Sequence, residues 1–199
     1  MSKLILPCTY LGPTDLYSDL IRAEEVEIEM CEHYVKQTYR NRCTISTGNG
    51  LMDLTIPVAR PYDKIQMKDI KIAYEQDWQK LHWKAIESAY RMSPYFEYLA
   101  EDFEPIFKTR ETYLVDFNMK LHEKVMLNMQ LKKDIATTTE YKKETGSSVI
   151  DKRMEYSPKK ERKQCKPYHQ VFENKYGFET GLSIFDLLMN EGPESIFYL

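Results

Sequence analysis

Glycine is scarce in this chain, with seven among 199 residues, and only Gly48 and Gly50 stand close together. That scarcity excludes a glycine-rich phosphate loop: neither G-x-G-x-x-G nor G-x-x-x-x-G-K-[ST] occurs, and the G-x-S-x-G nucleophile elbow is missing as well. The four cysteines, Cys8, Cys31, Cys43 and Cys165, form no C-x-x-C pair, and no histidine spacing completes a zinc pattern. No metal site is therefore expected, and the thiols are expected to be free and mostly buried. No apolar run reaches ~18 residues, so no membrane-spanning helix is predicted. No apolar segment follows a basic start, so no signal peptide is predicted and the expected location is the cytoplasm. The formal net charge is only -3, which gives no reason to expect nucleic acid as a partner.

What is present points to a folded domain. A hydrophobic fraction of 42% supports a real core, and 199 residues fit a single domain spanning the whole chain. The 15 tyrosines suit core edges and clefts, where the ring is apolar and the hydroxyl is wet. Charge is uneven. Residues 142–166 carry nine Lys/Arg against four Asp/Glu, whereas residues 1–34 carry seven acids against Lys3 and Arg22. The basic stretch shows no sustained period and reads as a loop.

Leu4-Ile5-Leu6, stopped by Pro7, reads as a buried strand, and Gly12-Pro13 introduces a helix carrying Leu16, Leu20 and Ile21. Val26 and Ile28 then alternate with Glu25, Glu27 and Glu29, the period of a strand with one wet face. This opening is a βαβ unit. Asn49-Gly50, between Cys43-Thr44-Ile45-Ser46 and a run from Leu51 to Val58, signals a β-hairpin. Residues 65–72 are short and mixed. From about Asp77 to Tyr90, Trp78, Leu81, His82, Ala85, Ile86, Ala89 and Tyr90 mark a helix face. Tyr95 to Leu99 continues after Ser93-Pro94, and Leu114, Phe117, Leu121 and Val125 mark a further helix to about Leu131. Ile135 to Thr139 and Tyr168 to Phe172 have strand composition. Near the end, Leu182 to Asn190 is an apolar helix with Ser183 and Asp186 at capping-box spacing. The expected fold class is α/β: an open, mostly parallel or mixed sheet with flanking helices and one β-hairpin.

The densest chemistry lies in His33-Tyr34-Val35-Lys36-Gln37-Thr38-Tyr39-Arg40-Asn41-Arg42. So much fixed charge cannot be buried without partners. On an extended segment Arg40 and Arg42 share one face, where two guanidiniums hold an anion through paired hydrogen bonds. The alternative is an internal ion-pair network with the glutamates at 24, 25, 27, 29 and 32. His33, Lys36, Arg40, Asn41 and Arg42 are candidate ligand-binding residues, with Trp83 and Tyr10 as pocket walls. His82 lies on its helix's apolar stripe and Trp83 leaves it. His82 and His169 are the candidates for proton transfer, the first set against a satisfied core position. Asn118 and His122, four apart on a helix, read as part of a polar face together with Asp116.

Several of these runs resemble the WbqC-like protein family: Tyr10-Leu11 with Tyr17, the segment from Glu32 to Arg42, Trp78-Gln79-Lys80-Leu81-His82-Trp83, Ser93-Pro94-Tyr95-Phe96 and Phe117-Asn118. Tyr168-His169-Gln170-Val171-Phe172 and the run from Leu182 to Pro193 continue the likeness. The resemblance covers most of the chain outside 132–166 and implies a compact form of the family. It implies an open α/β fold and a place in bacterial O-antigen or capsule synthesis. The activity it implies is that of a transferase acting on an activated sugar or a small acyl or aminoacyl donor, or alternatively a non-catalytic binding or assembly role in the same pathway. The expected partner is an anionic or sugar small molecule; the cofactor is unknown, and oligomerisation is left open. Family members end the first strand with His-Gln-Pro where this chain has Leu6-Pro7-Cys8, a departure that bears on any base or nucleotide-binding role of that loop.

Overall fold

The computed structural model describes residues 3–59, 64–146, 148–160 and 165–199. Its α/β architecture rests on a four-stranded, wholly parallel sheet and a separate two-stranded antiparallel hairpin. Strand β1 (Lys3–Pro7) pairs with β2 (Glu25–Glu29) on one side and β6 (Val149–Asp151) on the other, and β5 (Ile135–Thr137) adds to β2, giving the order β5-β2-β1-β6.

The period of two divides this sheet into unlike faces. Leu4, Leu6, Val26 and Ile28 are buried on one face. Helix α1 (Thr14–Arg22) brings Leu16 and Leu20 against it, and α4 (Leu114–Asn128) brings Asn118, Met119 and His122. The opposite face presents Lys3, Ile5, Glu27, Glu29 and Val149, roofed by residues 138–146. Parallel sheets are usually apolar on both faces because helices cover both. The alternation Glu-Val-Glu-Ile-Glu of β2 explains why a polar loop suffices here.

The larger core lies beside the sheet. Hairpin β3 (Arg42–Thr47) and β4 (Gly50–Thr55) packs through β3 on α2 (Trp78–Tyr90) and α6 (Ile184–Glu191), and these pack in turn with α3 (Phe96–Lys108) and α4; the short α5 (Glu173–Tyr176) precedes α6. Every residue of α6 from Ile184 to Asn190 is buried, as expected for a helix apolar around its girth. Its Phe185 meets Phe103 of α3 edge to face with centroids 4.8 Å apart, and Phe107 of α3 meets Phe117 of α4 in the same way at 5.7 Å. Helix α6 ends at Gly192, whose φ is 55° and whose missing Cβ would fall 2.5 Å from the Tyr95 ring.

The hairpin turn is Gly48-Asn49, closed by the Thr47–Gly50 pair, and the positive φ of 100° falls on Gly50. Four expectations need correction. The basic stretch holds strand β6, so it is not wholly a loop; β1 supplies the pairing partner that no local period announces. Residues 168–172 form no strand: Gln170 binds the Glu179 backbone through both its amide groups, at 2.8 and 2.9 Å, which leaves no ladder to join. Leu81 is 61% exposed, off the buried stripe of α2. Ser183 caps α6 by accepting from the Phe185 N–H at 3.1 Å, but Asp186 does not return the bond and instead accepts from the Tyr168 hydroxyl at 2.7 Å. Residues 65–72 contain a 3₁₀ turn, Met67–Asp69. Among the described residues no helix is long and apolar enough to cross a membrane.

Candidate functional site

Chain direction places the functional edge first. From β1 the chain moves to β2 and β5 on one side, then returns through β6 to the other side of β1. Open α/β sheets hold ligands outside the carboxyl ends of their strands, where the order reverses. Here that point lies between the loops following β1 and β6. It is nearly filled: Tyr156 is buried with its hydroxyl on Asp19, and only about 20 Å³ remains among Pro13, Asp15, Tyr39 and Ser157.

Around this edge the basic segment folds inward. Residues 38–41 form a turn, with the Asn41 N–H 3.4 Å from the Thr38 carbonyl, so Arg40 and Arg42 do not share an extended face. Arg40 is 1% exposed, and its Nε and Nη2 each donate to the Glu32 carboxylate at 2.7 Å. Its Nη2 also donates to the Arg153 carbonyl at 3.1 Å, and its Nη1 to Thr38 Oγ1 at 3.3 Å. The expected anion holder is therefore occupied by the chain's own glutamate. The arrangement is the bidentate pair that a buried guanidinium requires. Burial pushes the Glu32 carboxyl up from its ordinary range and Arg40 pulls it back.

The other members of the segment go elsewhere. Arg42 opens β3 and reaches across the hairpin to Asp53 at 3.2 Å, half-buried. Lys36 and His33 are exposed, and His33 forms a backbone bridge with Gln66. Asn41 is buried and donates to the Ile56 carbonyl at 2.8 Å.

A second buried arginine, unforeseen from the sequence, completes the network. Arg153, 4% exposed, donates from Nε to Asp151 at 3.0 Å, from Nη1 to Glu29 at 2.9 Å and from Nη2 to the Lys142 carbonyl at 2.8 Å. Glu29 also accepts from the Cys31 N–H and the Thr138 hydroxyl, both at 2.7 Å. Arg40 and Arg153 thus tie together the segments that follow β2, β5 and β6. The one signal in the sequence was the apolar pair Val149-Ile150, which ends three positions before Arg153 inside a charge run.

Beside this lattice the polar face of the sheet opens into a cleft of about 270 Å³. Its floor is Lys3, Ile5, Glu27, Glu29 and Val149, and its walls include Thr138, Thr139, Lys142, Glu144 and Thr145. Lys3 meets Glu27 at 2.7 Å, and Lys142 meets Glu140 at 3.0 Å. Carboxylates, ammoniums and hydroxyls alternate across it.

The two proton-transfer candidates are not brought together in a cleft. His82 is buried, its Nδ1 3.0 Å from the Tyr10 hydroxyl and its ring 5.1 Å from that of Trp78. Burial holds its pKa down at about 4, with the Thr55 carbonyl opposing. Tyr10 is fully buried, so it packs in the core and walls no pocket. Tyr17 and His122 repeat the pair at 3.1 Å, and burial takes His122 to about 4 as well. Asn118 and His122 consequently face inward, while Asp116 alone lies on the exposed side; Asn118 donates to the Arg40 carbonyl at 2.8 Å. His169 is on the surface, 3.3 Å from Glu173. The buried Cys8 thiol is pushed up to about 12, unsuited to nucleophilic work. Trp83 is half-buried, its ring near those of Phe96 and Phe107. Among the described residues no group of three or more His, Cys, Asp or Glu could hold a metal ion.

Comparison with known proteins identifies a family without assigning an activity. The chain is 28% identical over 229 aligned positions to a Mycobacterium tuberculosis (strain ATCC 25618 / H37Rv) protein called "Uncharacterized protein Rv1507c", covering 100% of this chain and 98% of that protein. No solved structure matches. The description of the WbqC-like protein family matches residues 9–164, a span that runs from the loop after β1 through the buried arginine lattice, and the chain belongs to that family.

Proposed function

We propose that this protein is a group transferase of bacterial surface-polysaccharide synthesis that holds a sugar in the cleft between the polar face of its sheet and the loop of residues 138–146. The observation that carries this reading is the lining of the cleft. A polyol needs donors and acceptors in close alternation, and Glu27, Glu144, Lys3, Lys142, Thr139 and Thr145 supply both. Of the two carboxylates on the cleft floor Glu27 is the accessible one, its side chain 22% exposed against 1% for Glu29. It takes the proton of the acceptor hydroxyl as that oxygen bonds to the donor carbon, and the leaving group departs with its electron pair.

A second reading, sugar binding without catalysis, is favoured by the absence of any histidine or cysteine among the residues lining the cleft. One experiment separates the two. Nucleotide-sugars, free hexoses, coenzyme A thioesters and amino acids are screened for thermal stabilisation, and each stabilising compound is assayed for turnover with Glu27→Gln and Glu144→Lys as controls. A sugar compound that stabilises the wild type, loses its effect in Glu144→Lys and turns over only with Glu27 present supports the transferase. Stabilisation that survives Glu27→Gln with no turnover supports binding alone, and no response to any sugar compound refutes both.

A further inference from the structure

A larger opening lies away from the sheet, between α2 and α3, and encloses about 550 Å³. On α2 the residues Lys80, Trp83, Lys84 and Glu87 follow the i, i+3, i+4, i+7 spacing of one helix face. Opposite them stand Phe107 and Lys108 of α3, with Arg110 just beyond its end. Trp83 is half-buried and lines the opening, its ring backed by Phe96 at 6.2 Å in a stacked arrangement and by Phe107 at 5.5 Å. Arg110 is held over the Tyr74 ring at 5.1 Å. Of the acids at the rim, Glu104 is already paired with Lys108 at 2.8 Å. Lys80, Lys84 and Arg110 therefore face Asp77 and Glu87, with one cation in excess.

We propose that this groove is a binding site for a nucleoside diphosphate, with its base stacked on Trp83 and its phosphates held by Lys80, Lys84 and Arg110. A fixed indole face takes any base because every base offers a π-face. Ammonium groups and a guanidinium take phosphate oxygens. The volume falls within the range of small-molecule sites. An anion without a ring would leave the indole unused, and a free sugar would leave the cations unused. The site shares no residue with the polar cleft and stands independently of the function proposed for it.

The test is equilibrium dialysis of the full chain at low salt against ADP and UDP, with adenosine, uridine and inorganic pyrophosphate as partial ligands. The nucleoside diphosphates are expected to bind at submillimolar concentration and the partial ligands at least tenfold more weakly. The exposed double variant Lys80→Glu/Lys84→Glu should weaken ADP binding tenfold or more with little change in Tm. Trp83→Leu should weaken it comparably, and raising the salt to 0.5 M should weaken the wild type. Glu144→Lys, in the other cleft, should leave it unchanged. No ADP or UDP binding at millimolar concentration would overturn the proposal. So would binding indifferent to the lysine reversals, or pyrophosphate binding as tightly as ADP whether or not Trp83 is present.

Discussion

Replacing Arg40 with alanine should unfold this protein before it starves it of ligand. The guanidinium is 2% exposed and its partner Glu32 is 6% exposed at the side chain, so the substitution leaves a carboxylate in a desolvated site with its bidentate donor gone. Breaking one side of such a pair costs about 3–5 kcal/mol, most of it the unpaired charge. For a chain of this size each kcal/mol lowers Tm by about 2–4 °C, so Arg40→Ala should melt roughly 6–20 °C lower. Urea unfolding followed by circular dichroism should show a lower midpoint at constant slope. Glu32→Ala should cost a similar amount, whereas Arg40→Met/Glu32→Leu should recover most of the loss, because two apolar groups need no compensation. Arg40→Lys keeps the charge but loses the two-pronged geometry, and should fall between. If Arg40→Ala stays within about 1 kcal/mol of wild type in the urea experiment and instead abolishes ligand binding, the internal-pair assignment is wrong.

Acidification should destabilise the fold through the two buried histidines. Each falls from 6.5 to about 4, so between those pH values the unfolded chain binds more protons and stability declines by about 3 kcal/mol per histidine. Asp186 acts with the opposite sign: burial raises it from 3.8 to about 6, so its contribution is present below 3.8 and lost as pH rises through 6, offsetting one histidine. Asp186→Asn should therefore steepen the loss seen by denaturant titration between pH 6.5 and 4, and a shallower profile would contradict the assignment. Tyr10→Phe removes the hydrogen-bond partner of His82 and should cost about 1–3 kcal/mol without touching the polar cleft, measured by urea unfolding. Gly192→Ala meets both a positive φ and the Tyr95 ring, and should cost roughly 2 kcal/mol in the same assay.

The parts of the fold legible in the sequence were those whose period is local. The alternation of β2, the hairpin around Asn49-Gly50 and the apolar faces of α2 and α4 needed no distant partner to be read. The strand β6 could not be read this way: three residues carry no period, and its identity comes from Leu4 pairing with Ile150, far along the chain. Residues 168–172 misled for the converse reason, since strand-like composition there is overridden by the Gln170 side chain serving the Glu179 backbone. His82 was legible as a core residue from its stripe, and Trp83 as a residue leaving that stripe; both readings needed only helical geometry.

The basic segment shows why the site was harder to read than the fold. Charge in a sequence has no direction, and the turn at residues 38–41 decides that Arg40 points into the protein and Arg42 across the hairpin. Glu32, eight residues before Arg40 and inside the same run, is its counter-ion. The run is thus electrostatically complete at its centre without any guest. Its most concentrated charge holds the loop after β2 to the loop after β6 through the Arg153 carbonyl. This places the fold's most polar sequence in its scaffold. Both proposed sites therefore rest on residues that look ordinary in the sequence: the threonines, lysines and glutamates between the polar sheet face and its covering loop, and a tryptophan one step off a helix stripe.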